Sequence, residues 1–240
     1  MDIGRYGRGL TSAFLYRLDR LWLRAQVGLQ SVFGVAGHYQ PNPFAADSDR
    51  RDQRACPERF EAFSKALPAG ALSCIDIGCN IGYFTFRMAQ RGGICLGIDT
   101  GRNEISYARG LAALHGVRNA AFLQFEISAD SIAALPRADV IICMSVFHHW
   151  VRKLGLEEAT RIVDGMAKRC SFLVFETGQH DETDTSWARH LSFMGKDCDN
   201  WIRNFLVARG FQSVELMGDY STTLSVAPRH LYLARMPNRP

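Results

Sequence analysis

The 240-residue sequence lacks the marks of several classes of protein. None of its seven cysteines lies in a CxxC pair, and several fall inside apolar runs, where cysteine acts as a small hydrophobic residue. No apolar stretch reaches the roughly 18 to 20 residues that cross a bilayer, and the N-terminus has no uninterrupted apolar run of the signal-peptide kind. We therefore expect a cytoplasmic protein whose cysteines stay reduced.

A strong net charge is also absent, and the charge that exists is unevenly placed. The net charge of +4 is too small to indicate the basic stripe of a DNA-binding protein. The first 24 residues hold five arginines against two aspartates, and apolar residues recur at helical spacing over residues 9–33. This pattern predicts a basic amphipathic helix. Two readings stay open: peripheral docking to the inner membrane or a partner protein, or packing on the protein's own core.

From Ser73 onward, short apolar runs alternate with segments of helix length. This alternation is typical of a parallel sheet with helices on both faces. The runs are residues 74–77, 94–98, 121–125, 140–144 and 172–175, and the helical segments are residues 82–91, 103–115, 156–168 and 200–209. Residues 212–217 and 230–235 have no helix between them and predict an antiparallel pair. The sequence thus predicts an α/β fold, a doubly wound and mostly parallel seven-stranded sheet with an antiparallel last strand, in a domain of residues 71–240 behind an extension of residues 1–70.

A glycine-bearing loop follows the first predicted strand, with the sequence Asp-Ile-Gly-Cys-Asn-Ile-Gly from Asp76 to Gly82. Gly78 allows a sharp turn of the backbone, and Gly82 allows a close approach of ligand or helix. A dinucleotide-binding loop would carry its second glycine where this one has Asn80. The spacing disfavours a pyrophosphate ligand.

Two carboxylates follow the next two predicted strands. Asp99 lies about 20 residues past the glycine loop, where an acidic residue can accept hydrogen bonds from both ribose hydroxyls. The alternative for Asp99 is a helix N-cap. Glu126 is placed to accept from an adenine amino group or to be a solvated loop carboxylate.

Candidate substrate residues follow the fourth strand and the last hairpin. His148 and His149 are candidates for a base or an anion contact, with a structural histidine as the alternative for either. We find no supporting cluster for a metal and predict none. Tyr220 and Arg229 are candidates for binding an anionic acceptor, with solvated hairpin residues as the alternative.

The chain resembles the class I S-adenosylmethionine (SAM) dependent methyltransferases over residues 71–235. The resemblance rests on the loop from Asp76 to Gly82 and on the reversed last strand. It implies that SAM is the cofactor, with Gly78 and its neighbours at the amino-acid portion, Asp99 at the ribose and Glu126 at the adenine. The full set of cofactor residues implied is Asp76, Gly78, Cys79, Asn80, Gly82, Asp99, Glu126, Ile127 and Met144.

A narrower resemblance covers residues 145–149, 154–158, 218–229 and 231–233. These look like the methyltransferase domain of bacterial O-antigen chain-terminating enzymes, which cap a growing polysaccharide. The resemblance implies an O-methyltransferase acting on a hydroxyl or a phosphate of a cell-surface glycan or its precursor. The 240 residues leave no length for a kinase domain, so we expect any phosphorylated acceptor to come from another protein. The alternatives are a methyltransferase for RNA or a small metabolite and a non-catalytic SAM-binding scaffold subunit.

Overall fold

A computed structural model describes residues 39–44, 55–222 and 225–237, together with the single positions 21, 25 and 28. The helices are α1 (Cys56–Ala66), α2 (Tyr83–Gln90), α3 (Arg102–His115), α4 (Phe147–Leu154), α5 (Leu156–Ala167) and α6 (Cys198–Val207). The strands are β1 (Cys74–Ile77), β2 (Cys95–Asp99), β3 (Ala120–Gln124), β4 (Ala138–Met144), β5 (Cys170–Glu176), β6 (Ser213–Tyr220) and β7 (Arg229–Arg235). Two 3₁₀ helices lie at Ser131–Ala134 and Ala188–Met194. The helix predicted over residues 9–33 lies outside the described residues apart from those three positions, and its docking role stays a prediction.

The seven strands form one sheet in the order β3-β2-β1-β4-β5-β7-β6. Strands β1 to β5 run parallel to one another, while β7 is antiparallel to both β5 and β6. The chain order reverses beside β1, which pairs with β2 on one side and with β4 on the other. The predicted fold class and the antiparallel last strand are confirmed.

The central strands are covered on both faces. Val140, Ile141, Ile142 and Cys143 are all fully buried, as expected for near-continuous apolar strands of a parallel sheet. Alternate residues of β4 face opposite layers: Ile141 packs with α4, α5 and α6, and Ile142 packs with α1 and α2. Within the described ranges, no helix is both long and apolar enough to cross a membrane.

Two helices were missed by the sequence pattern. Helix α1 falls inside the predicted extension, yet its Phe60 and Phe63 are buried against α2, β6 and β7. Helix α4 begins three residues after β4 ends, and it buries Phe147, Trp150 and Val151 at helical spacing. The pattern of α4 was hard to recognise because only eight residues carry it.

Candidate active site

A cleft with a volume of about 340 Å³ opens at the carboxyl ends of β1, β2 and β4. This is where doubly wound sheets place ligands, at the point where the strand order reverses. The residues that line the cleft include Tyr39, Gly78, Asn80, Asp99, Phe125, Glu126, Ile127, Met144, Ser145, Val146, His149 and Lys153.

The loop after β1 packs tightly into the floor of the cleft. Gly78 has φ of +77°, and an added Cβ there would lie 2.2 Å from Cγ2 of Val146. Asn80 also has a positive φ, which asparagine tolerates better than most residues. Gly78 and Asn80 line the cleft, whereas Gly82 begins α2 and the fully buried Cys79 packs behind the loop with Phe122. The structure thus brings only part of the predicted loop to the cleft surface.

Asp99, at the end of β2, joins two loops at the cleft. Its Oδ2 accepts a hydrogen bond from the backbone N–H of Asn80 at 2.8 Å, and its Oδ1 accepts one from that of Gly101 at 2.8 Å. A carboxylate offers about four lone-pair sites, so each oxygen keeps one for a ligand. This geometry suits a pair of ribose hydroxyls.

The wall beyond Asp99 is largely apolar. Phe125 and Ile127 flank Glu126, whose exposed carboxylate pairs with Lys153 across the rim. Met144, at the end of β4, lines the same space. A flat ring could lie between apolar side chains here, with one carboxylate at its edge.

Asp76 lies below the loop and not on the main cleft. Its Oδ2 accepts hydrogen bonds from the backbone N–H of Thr85 at 3.1 Å and from the Thr85 hydroxyl at 2.7 Å. Burial raises the pKa of Asp76 to about 7. Asp76 lines a smaller cavity that shares Tyr39, Gly78, Met144 and Ser145 with the cleft. Asp76 thereby ties the start of α2 to β1 beneath the loop at Gly78.

The two adjacent histidines have different environments because they lie about 100° apart on α4. His149 is exposed and lines the cleft. Loss of hydration first, and then the charges of Arg152 and Arg229, lower the pKa of His149 below its ordinary value. His148 is 1 % exposed and accepts a hydrogen bond at Nδ1 from the backbone N–H of Gly178 at 2.9 Å. His149 is therefore part of the cleft wall, and His148 is buried behind that wall.

Arg229 belongs to a network of buried charged side chains, and Tyr220 packs against one member of that network, Arg59. Arg229 is 1 % exposed, pairs through two N–H groups with Glu182, and donates a third bond to Ser145 Oγ at 2.8 Å. Tyr220 is half-buried beneath the guanidinium of Arg59, at 5.1 Å from the ring centroid. The acceptor contacts suggested for both residues stay predictions, and for Arg229 the structure shows a carboxylate partner already in place.

The network continues to α1 through Ser145. Its hydroxyl donates to Glu176 Oε1 at 2.9 Å, and Glu176 Oε2 accepts from Arg59 Nε at 2.7 Å. Ser145 has φ of +60°, a strained backbone conformation for serine, and it lines the cleft. Tyr39 and Glu182 were not singled out from the sequence, and Ser145 was noted only as part of the segment 145–149, without a role of its own.

The residues present fit a nucleoside with a charged amino-acid tail. The cleft volume falls in the range of roughly 300 to 1,000 Å³ that ligand pockets occupy. Each Asp99 oxygen accepts one protein hydrogen bond and keeps a lone pair, apolar residues of the cleft wall lie next to it, and Gly78 has no side chain at the cleft surface. Among the described residues, no group of three or more metal-ligating side chains was found.

Comparison with known proteins agrees with this geometry. Residues 69–175 match the family model described as a methyltransferase domain. The chain is 28% identical over 206 residues to the O-antigen chain terminator bifunctional methyltransferase/kinase WbdD of Escherichia coli, covering 85% of this chain and 27% of that protein. The chain thus spans about a quarter of the length of this relative.

Solved structures give the same result for the fold. A structure of the bifunctional kinase-methyltransferase WbdD matches with a TM-score of 0.69 and 27% identity, covering 87% of this chain and 46% of that one. Magnesium protoporphyrin IX methyltransferase from Synechocystis PCC 6803, solved with bound SAM, matches with a TM-score of 0.54 and 21% identity, covering 75% of this chain and 76% of that one.

Proposed function

We propose that this chain, whose residues 69–175 match a methyltransferase domain, transfers the methyl group of SAM to an oxygen of a cell-surface polysaccharide or its precursor. The observation that carries the proposal is that the Asp99 carboxylate and the His149 imidazole line the same cleft. The similarity to a chain terminator over 85% of this chain supports a glycan acceptor.

The cofactor residues divide the cleft into three parts. In this proposal Asp99 holds the ribose, the segment from Phe125 to Ile127 holds the adenine, and the loop at Gly78 holds the amino-acid portion. Bound SAM supplies an electrophilic methyl group on a sulfonium sulfur. The task of the protein is then to hold donor and acceptor in line, since displacement at the methyl depends mainly on near-attack geometry.

His149 is the residue that we assign to the acceptor. A lowered pKa keeps its imidazole neutral at neutral pH, so it can take a proton from a hydroxyl group as the oxygen attacks. An ionised phosphate oxygen would need no such base. Lys153 and Arg229, two of the cations near His149, are each paired with a carboxylate, and Arg152 is exposed to solvent; we therefore favour a sugar hydroxyl as acceptor. His148 keeps only a supporting role behind His149.

Methyl transfer from labelled SAM into separated cell fractions tests this function. The fractions are glycolipid with polysaccharide, RNA, protein, and small molecules. We expect label in the first fraction with the wild-type chain and none with an Asp99→Ala variant. Label found only in RNA or in small molecules would overturn the proposal of a glycan acceptor, while methyltransferase activity itself would be retained. SAM binding without transfer to any fraction would favour the non-catalytic scaffold.

A further inference from the structure

Glu182 is a buried carboxylate that the proposed chemistry does not use. It lies between β5 and α6 and has no exposed surface. Its oxygens accept four hydrogen bonds of 2.8 to 3.0 Å, from the Gln179 backbone N–H, the Trp187 indole N–H and two N–H groups of Arg229. A carboxylate is kept charged in the interior only by such partners. Since its lone-pair sites are filled, Glu182 cannot itself contact a substrate.

Trp187 connects Glu182 to His148 and His149, because its indole contacts all three side chains. With its indole N–H held by Glu182, the ring lies 5.0 Å from the ring of His148 and 6.0 Å from that of His149, measured between centroids. The two imidazoles are 4.1 Å apart. Glycine is required at position 178, because an added Cβ would lie 2.8 Å from Trp187 Nε1 and 2.9 Å from His148 Cγ. The packing behind His149 therefore has little freedom.

Arg229 carries a second influence, which is electrostatic. Its guanidinium lies 5.4 Å from the Trp187 ring centroid and also donates to Ser145, a residue of the cleft wall. The positive charge of Arg229 is one of the causes that lower the pKa of His149. Glu182, paired with Arg229 at 2.8 Å, carries the opposite charge, and by Coulomb's law such a charge reduces the field of Arg229 at His149. The other charges near His149 are Arg152 on its own helix, the Glu126–Lys153 pair and Asp99 across the cleft.

We propose that Glu182 is a positioning residue for methyl transfer. It fixes Trp187 and Arg229, and the packing of Trp187 against His148 and His149 holds the His149 imidazole toward the cleft in one orientation. This inference rests on the proposed role of His149. It assigns to the segment between β5 and α6 a function in organising the acceptor side, separate from the cofactor side around Asp99.

The test compares Glu182→Gln with Glu157→Gln, the same change at an exposed residue in the first turn of α5. The titration of His149 is followed by NMR of histidine-labelled protein, with His149→Ala to assign the resonance. In Glu182→Gln the positive charge of Arg229 is unopposed, so we expect His149 to titrate at lower pH than in wild type. SAM affinity by calorimetry should stay within about threefold, while kcat for methyl transfer falls about tenfold through misplacement of the base. Glu157→Gln should match the wild type in all three.

A double variant, Glu182→Gln with Arg229→Met, covers the case in which the single variant does not fold. Replacing both members of a buried ion pair is often tolerated where breaking it is not. Here we expect His149 to titrate at higher pH than in wild type, because the positive charge is gone. A His149 titration unchanged in either folded variant overturns the proposal, as does a loss of SAM affinity equal to the loss in kcat. The titration needs no acceptor, so it remains informative even if the glycan function fails.

Discussion

His149→Ala should lower kcat for methyl transfer by at least about 100-fold, the range expected for loss of a general base, while SAM affinity should stay within about twofold. The reason is geometric: His149 lines the cleft from α4, and the residues proposed to hold the cofactor lie on other elements. Removing the imidazole takes away the proton acceptor without touching Asp99. Steady-state kinetics and calorimetry on the same preparation measure both effects, and added imidazole should restore part of the lost rate.

The proposed role of His149 also determines how the rate of methyl transfer should depend on pH. In the proposed mechanism the neutral form of His149 is the active one, and the pKa of His149 is lowered. The wild-type rate should therefore fall as the pH drops through that lowered pKa and stay level at neutral pH and above it, until another group titrates. A rate that is unchanged in His149→Ala would mean that the acceptor is already anionic, as a phosphate is.

Asp99→Ala should weaken SAM binding by at least about 100-fold, equivalent to roughly 2.7 kcal/mol. Hydrogen bonds to a charged acceptor contribute about 1.5 to 3 kcal/mol each, and the proposal has two from the ribose. The variant also frees the backbone N–H groups of Asn80 and Gly101, so the loop at Gly78 loses its anchor. Both effects act in the same direction.

Calorimetric titration with SAM measures this change, and Asp130→Ala is the matched control, since the Asp130 side chain is 96% exposed. The control should bind SAM as the wild type does. Equal affinity in Asp99→Ala and wild type, with both folded, would remove Asp99 from the cofactor site and with it the assignment of the cleft.

The parts of the fold set by local pattern were predictable from the sequence. The five parallel strands begin within two residues of their predicted starts. For β1, β4 and β5 the reason is that strands covered on both faces have near-continuous apolar sequences. The turn at Gly78 was predictable because only glycine meets its backbone requirement without strain.

The buried ion pairs could not be predicted, because their members are far apart in sequence. Arg59 and Glu176 are separated by 117 residues, and Arg229 and Glu182 by 47. Charges of this kind find partners only once the sheet and helices are assembled. The two adjacent histidines show the same limit. Neighbouring residues of a helix point in different directions, and because helix α4 was not predicted, the sequence did not show that of the two histidines His149 lines the cleft.

The central claim is that this cleft holds the cofactor with its sulfur facing His149. A crystal structure of the protein with S-adenosylhomocysteine, the product that SAM leaves behind, tests it most directly. The account predicts both ribose hydroxyls on the Asp99 carboxylate, the adenine beside Ile127 and the sulfur turned toward His149. A nucleoside bound elsewhere, or a sulfur turned away from His149, would contradict it.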